Sequence, residues 1–156
     1  MIDHVWSVLC RRSSIDRETN NISLFDVVEQ LQLFEGSEVP SSVAGPFEIV
    51  SLWTRSAEPT RGEAQISLRG PSGRLLIPPL LQEIDLREAR RLRARQRLSL
   101  IPIEGSGVHV FSIERRLHGR ERWDEVATIP VDVVLRAGPP SRRTPEGEFP
   151  RSSHGR

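Results

Sequence analysis

The segment RWDEVATIPVDVVLR, residues 122–136, decides the fold class. Trp123, Ala127, Ile129, Val131, Val133 and Leu135 alternate with Arg122, Asp124, Thr128, Asp132 and Arg136. A period of two over that length is a strand with one face buried and one wet. Pro130 falls in the outward set, where its missing N–H predicts an edge strand or a bulge.

Upstream the same alternation recurs. In EAQISLR, residues 63–69, Ala64, Ile66 and Leu68 oppose Glu63, Gln65, Ser67 and Arg69, and GPSG then turns the chain into RLLIPPLL. That order predicts a hairpin. RLSLIPI, EGSG and VHVFSIERRL form another strand, turn and strand, and HGRE leads into the Trp123 strand. Joined by tight turns, these three strands are expected to make an antiparallel meander. DHVWSVLC and PFEIVSLWT are apolar on both faces and read as central strands. NISLFDVVEQLQLF, residues 21–34, also fits a helical stripe through Leu24, Val27, Val28, Leu31 and Phe34. Its β-branched and aromatic content favours one long, bulged strand.

The fold predicted is mainly β: an antiparallel two-sheet β-sandwich of immunoglobulin-like, C2-like or jelly-roll-like type, with about eight strands and little helix. The sandwich domain spans 1–136. Residues 137–156, rich in Pro, Gly, Ser and Arg with only Phe149 to bury, are expected to be a disordered tail.

A chain of 156 residues can bury roughly two-thirds of its unfolded surface, so it needs no metal or disulfide to fold. The single cysteine, Cys10, has no internal partner, and the start MIDHVWSVLC lacks a basic region before an apolar run. Both point to the cytoplasm. No apolar run reaches the roughly 18 residues that span a bilayer, so no membrane partner is expected. The net charge of +1 gives no global pull on nucleic acid, and any electrostatic partner must meet a local patch. Lysine is absent, so such a patch presents planar guanidinium forks.

The richest patch is DLREARRLRARQRL, with Arg87, Arg90, Arg91, Arg93, Arg95 and Arg97. If its second half is a strand, Arg91, Arg93, Arg95 and Arg97 share one face at roughly 7 Å spacing. Such a row suits phosphates or an acidic partner surface. It equally suits an edge strand guarded by like charges, which is the commoner role. No aromatic residue lies between Asp85 and Pro102 to stack on bases, so nucleic-acid binding would be a salt-sensitive backbone contact.

In IDRETNNISLF, Asp16, Glu18 and Asn20 alternate as calcium-loop oxygens do, and Asn21 could take the left-handed conformation. The closing twelfth place, counted from Asp16, is Val27 where a bidentate Glu is needed. Hydrogen bonding of Asp16, Asn20 and Asn21 within a hairpin loop is the stronger reading. Asp16, Glu18 and Asn20 are kept as a loop contact, with no metal and no cofactor expected.

Catalytic signals are weak. Cys10 ends an apolar strand and reads as a small buried hydrophobe. His4, His109, His118 and His154 show no ligand spacing, and no phosphate-loop, nucleophile-elbow or zinc-protease motif occurs. No catalytic residue is named.

VWSVLCRRSSIDRETNNISLFDVVEQL, RGPSGRLL, GSGVHVFSI and WDEVATIPVDVVL together resemble small bacterial proteins of a domain-of-unknown-function type. In these an N-terminal hairpin leads into a β-sandwich with a glycine-led strand near the end. The resemblance covers about residues 3–136; it implies a sandwich and carries no functional residue.

The function expected is a non-enzymatic binding or accessory module with a protein partner. The runner-up is an anion or nucleic-acid backbone contact through the arginines of 87–97. A third is a metal-dependent or hydrolytic enzyme whose site is assembled from loops.

Overall fold

The computed structural model describes residues 1–35 and 41–137. Of the expected tail, 137–156, Ala137 is the last residue of a strand, and residues 138–156 lie outside the described residues. Among the described residues there are nine strands and no helix: β1 (Ile2–Ile15), β2 (Ile22–Val27), β3 (Gln30–Glu35), β4 (Ser42–Arg55), β5 (Thr60–Arg69), β6 (Leu75–Leu86), β7 (Arg91–Pro102), β8 (Gly107–Leu117) and β9 (Asp124–Ala137). They form a four-stranded sheet, β2-β1-β4-β7, and a five-stranded sheet, β3-β9-β8-β5-β6.

The β9 segment behaves as its alternation requires, with Val131 and Val133 buried while Thr128, Pro130 and Asp132 are exposed. It is an edge strand for only part of its length. β3 runs parallel to it from Gln30↔Asp132 to Glu35↔Ala137, and the Asp132 N–H donates to the Glu29 carbonyl at 3.0 Å. Pro130 lies just before that ladder begins, at a level where β3 offers no acceptor, so its missing donor breaks no bond.

Two connections differ from the sequence reading. Residues 21–34 are extended but do not form one bulged strand. Asp26 is left-handed at φ 56°, the Val28 N–H donates to the Leu9 carbonyl at 2.9 Å, and the Val28 side chain is buried in the core. Anchored there, the chain leaves one sheet as β2 and enters the other as β3, which raises the count from eight strands to nine. Nor do β7, β8 and β9 make a three-strand meander. β8 and β9 pair as expected, but β7 pairs with β4 in the other sheet. The turn before β8 is a corner between sheets, with Gly105 and Gly107 at positive φ. His109 holds it, Nε2 accepting from the Glu104 N–H at 2.9 Å and Nδ1 lying 3.1 Å from the Gly107 carbonyl.

The core lies between the sheets around Trp53, Phe47, Ile49, Leu68, Ile84, Phe111 and Ile113. Each such side chain contributes roughly 1.5–3 kcal/mol on leaving water. The inward residues predicted for β5, Ala64, Ile66 and Leu68, are all in this cluster.

Candidate functional site

β7 carries the arginine row as a strand. Across its ladder with β4, Arg91 faces Thr54, Arg93 faces Leu52, Arg95 faces Val50 and Arg97 faces Glu48. One strand further, Trp6 faces Leu52, Val8 faces Val50 and Cys10 faces Glu48. Residues directly opposite share a face, so three rows cross the outer surface of this sheet: Trp6-Leu52-Arg93, Val8-Val50-Arg95 and Cys10-Glu48-Arg97. Leu92, Ala94 and Leu98 of β7 pack on the core side.

That outer surface is not simply wet. Val50 and Cys10 are both 0% exposed, yet neither belongs to the cluster between the sheets. The β1–β2 hairpin explains this by curling back over the face. Beyond Cys10, β1 leaves β4 and continues with β2 alone, and the hairpin tip reaches β7, where Arg93 donates to the Asn20 carbonyl. The two features singled out separately in the sequence therefore meet.

Under the tip is an open groove of about 710 Å³ with apolar walls of Trp6, Ile15, Ile22 and Leu52. Its polar lining is Thr19, Asn20 and Asn21 from the loop, with Arg91 and Arg93 from β7.

The four arginines divide. Arg93 is tied to Asn20, with the Asn20 Oδ1 also 3.5 Å from its guanidinium. Arg97 Nε lies 3.3 Å from Glu48 Oε1, on a carboxylate whose side chain is only 10% exposed, and the other Glu48 oxygen accepts from the Ser13 hydroxyl at 2.5 Å. Arg87, at the start of the arginine-rich stretch, is paired with Asp85 at 2.6 Å. Among the described residues no hydrogen bond or ion pair is found for the side chains of Arg91 and Arg95, both of which are exposed.

The loop is organised by its own backbone. Asp16 Oδ1 accepts from the N–H groups of Glu18 (2.9 Å) and Thr19 (2.7 Å) and from the Thr19 hydroxyl (3.0 Å). These bonds hold its carboxyl below the usual range, the Thr19 N–H contributing most. The Asn20 N–H donates to the Asp16 carbonyl at 3.0 Å. The left-handed residue is Asn20, at φ 55°, where the sequence reading had placed it at Asn21. Glu18 and Asp16 are not drawn to the arginines. Among the described residues no three His, Cys, Asp or Glu side chains are grouped to share an ion.

Cys10 is buried beneath Glu48; burial, and then the Glu48 charge, push its thiol up, which disfavours the thiolate a nucleophile needs. Sequence spacing missed one polar chain. His4 Nε2 lies 2.8 Å from Ser7 Oγ, which lies 2.7 Å from Ser51 Oγ on β4. The His4 ring stands edge-on to Trp53 at 5.0 Å. Burial, followed by the Arg115 charge, lowers the His4 pKa, so the ring is a neutral partner within the fold. The groove was also beyond sequence spacing, because Trp6, Leu52 and Arg93 come together only through the register of three strands.

No family model and no curated protein sequence matches the chain. Among solved structures it is similar to part of a family 123 glycoside hydrolase from Clostridium perfringens, at 8% identity and a TM-score of 0.42 over 88% of this chain. It is also similar to the N-terminal domain of PorA, at 12% identity and a TM-score of 0.28 over 86% of this chain and 100% of that one. The chain spans only 28% of the length of the glycoside hydrolase. Both are distant matches at low identity, and no family is assigned.

Proposed function

We propose that the chain is a cytoplasmic, non-enzymatic binding module, like the small bacterial sandwich proteins it resembles, and that its outer face at β7 binds a protein presenting acidic side chains. The observation that carries this reading is the division of the arginine row. Arg93 and Arg97 have internal partners, while Arg91 and Arg95 project from the same strand with no side-chain partner among the described residues. Guanidinium forks favour planar, bidentate carboxylate contacts and lose less rotamer entropy per hydrogen bond formed than an ammonium would. A polyanion backbone fits less well, because two uncommitted arginines neutralise few phosphates and give a shallow salt dependence.

The test is titration with a glutamate homopolymer and with a single-stranded oligonucleotide at increasing salt. Binding of the acidic polypeptide at low salt, weakened about tenfold or more by Arg91→Gln with Arg95→Gln, is the expected result. No binding, or equal binding by the double variant, overturns the proposal. A tighter, steeply salt-dependent oligonucleotide complex would replace it with the nucleic-acid reading.

A further inference from the structure

The groove beside Arg91 has a composition that charge alone does not require. Its apolar walls are Trp6, Ile15, Ile22 and Leu52, and among the described residues its charged lining is Arg91 and Arg93, with no carboxylate. In a chain with 21 acidic and 22 basic residues, an apolar cleft with purely cationic charge is a selective environment. Its volume, about 710 Å³, falls in the range of pockets that enclose sizeable organic groups.

The two arginines differ in what they can offer. Arg93 is held by the Asn20 carbonyl, which fixes its position without cancelling its charge. Arg91, exposed on the rim, has no side-chain partner among the described residues. An aromatic ring entering the groove would meet the Trp6 indole and aliphatic walls, and ring pairs of this kind favour edge-to-face or offset contact. A carboxylate one residue away would reach the rim.

We infer that the groove seats an anchor from the partner protein: an aromatic side chain next to an acidic residue, the ring against Trp6 and Leu52 and the carboxylate on Arg91. This rests on the acidic-partner reading above and names its hot spot. Binding energy at protein surfaces concentrates in such central aromatic anchors, with charge on the rim setting orientation.

Three blocked peptides test it: an acidic peptide with one central Phe, the same peptide with that Phe replaced by Ala, and the Phe peptide with its acids replaced by Gln. Binding is followed by NMR through the indole N–H signals, the Trp6 signal being identified with Trp6→Phe. The expected result is that the acidic Phe peptide binds about tenfold tighter than its Ala counterpart, shifts the Trp6 signal, and loses about tenfold on Arg91→Gln. Equal binding of the Phe and Ala acidic peptides overturns the anchor and leaves the acidic-surface reading standing. No binding by either acidic peptide at low salt overturns both. If the Gln-substituted peptide binds as tightly as the acidic Phe peptide, the carboxylate half of the anchor is wrong.

Discussion

β6 and β7 are consecutive in the chain, and each is the last strand of its sheet, yet they finish the sandwich in different ways. β6 closes its sheet with Pro78 and Pro79 at an irregularity in its ladder with β5, between Ile66 and Leu68. Proline removes the donors another chain would need, which suffices to protect an edge. β7 carries no proline before Pro102 and depends on arginines. Like charge alone would explain that row only if all four were solvated equally, but Arg97 satisfies a buried carboxylate and Arg93 holds the β1–β2 hairpin. β7 is therefore an edge strand whose outer face is also an interior, roofed by the hairpin. Among the described residues, Arg91 and Arg95 have no part in that structural work.

The sharpest way to break this comparison is to truncate one apolar residue on the outward side of each region. Val50 lies under the hairpin at 0% exposure, whereas Leu81 of β6 is 62% exposed. Val50→Ala should cost about 2 kcal/mol of stability, from lost burial and an unfilled cavity. Leu81→Ala should stay within about 0.5 kcal/mol. Equal losses in urea unfolding would mean that the hairpin does not create a second interior. A smaller effect is expected at the base of the row. Glu48→Ala removes the acceptor of the buried Ser13 hydroxyl, but Arg97 is 74% exposed and rehydrates. The cost should be about 1–2 kcal/mol, read from the same unfolding curves, and no loss would show that the pair is only a surface contact.

The sequence made much of β7 legible and little of what surrounds it. Alternation of Arg91, Arg93, Arg95 and Arg97 with Leu92, Ala94, Gln96 and Leu98 is a local property, and it placed the row on one face. The roles of Arg93 and Arg97 depend on Asn20 and Glu48, distant in the chain and brought near by pairing register, which composition does not encode. For the same reason β5 could be read residue by residue, while the sheet change at Val28 could not. A buried anchor between two extended runs looks, in sequence, like the middle of one strand. The corner before β8 was misread because EGSG is as good a hairpin turn as it is a sheet-to-sheet corner, and the His109 bonds that select the corner are side-chain geometry.

The smallest predicted effect concerns an ion pair that begins on β6, and it contrasts with Arg97–Glu48 most directly. Arg87 Nε and a terminal nitrogen both reach the Asp85 carboxylate, the shortest contact being 2.6 Å, and the Arg87 N–H donates to it at 3.0 Å. The Arg87 side-chain bond first, and its N–H second, hold the Asp85 pKa down at about 2. A carboxyl depressed in the folded state stabilises the fold above its unfolded pKa, near 3.9. That contribution is lost as pH falls through about 2. Because both partners are in water, salt should screen the effect. Arg87→Ala should leave the unfolding midpoint at pH 7 almost unchanged and move the Asp85 titration, followed by NMR, upward toward the ordinary carboxylate value. If Asp85 titrates at the same pH with and without the Arg87 side chain, the two residues form only a backbone-linked turn, and there is no exposed ion pair to set against the buried Glu48 carboxylate.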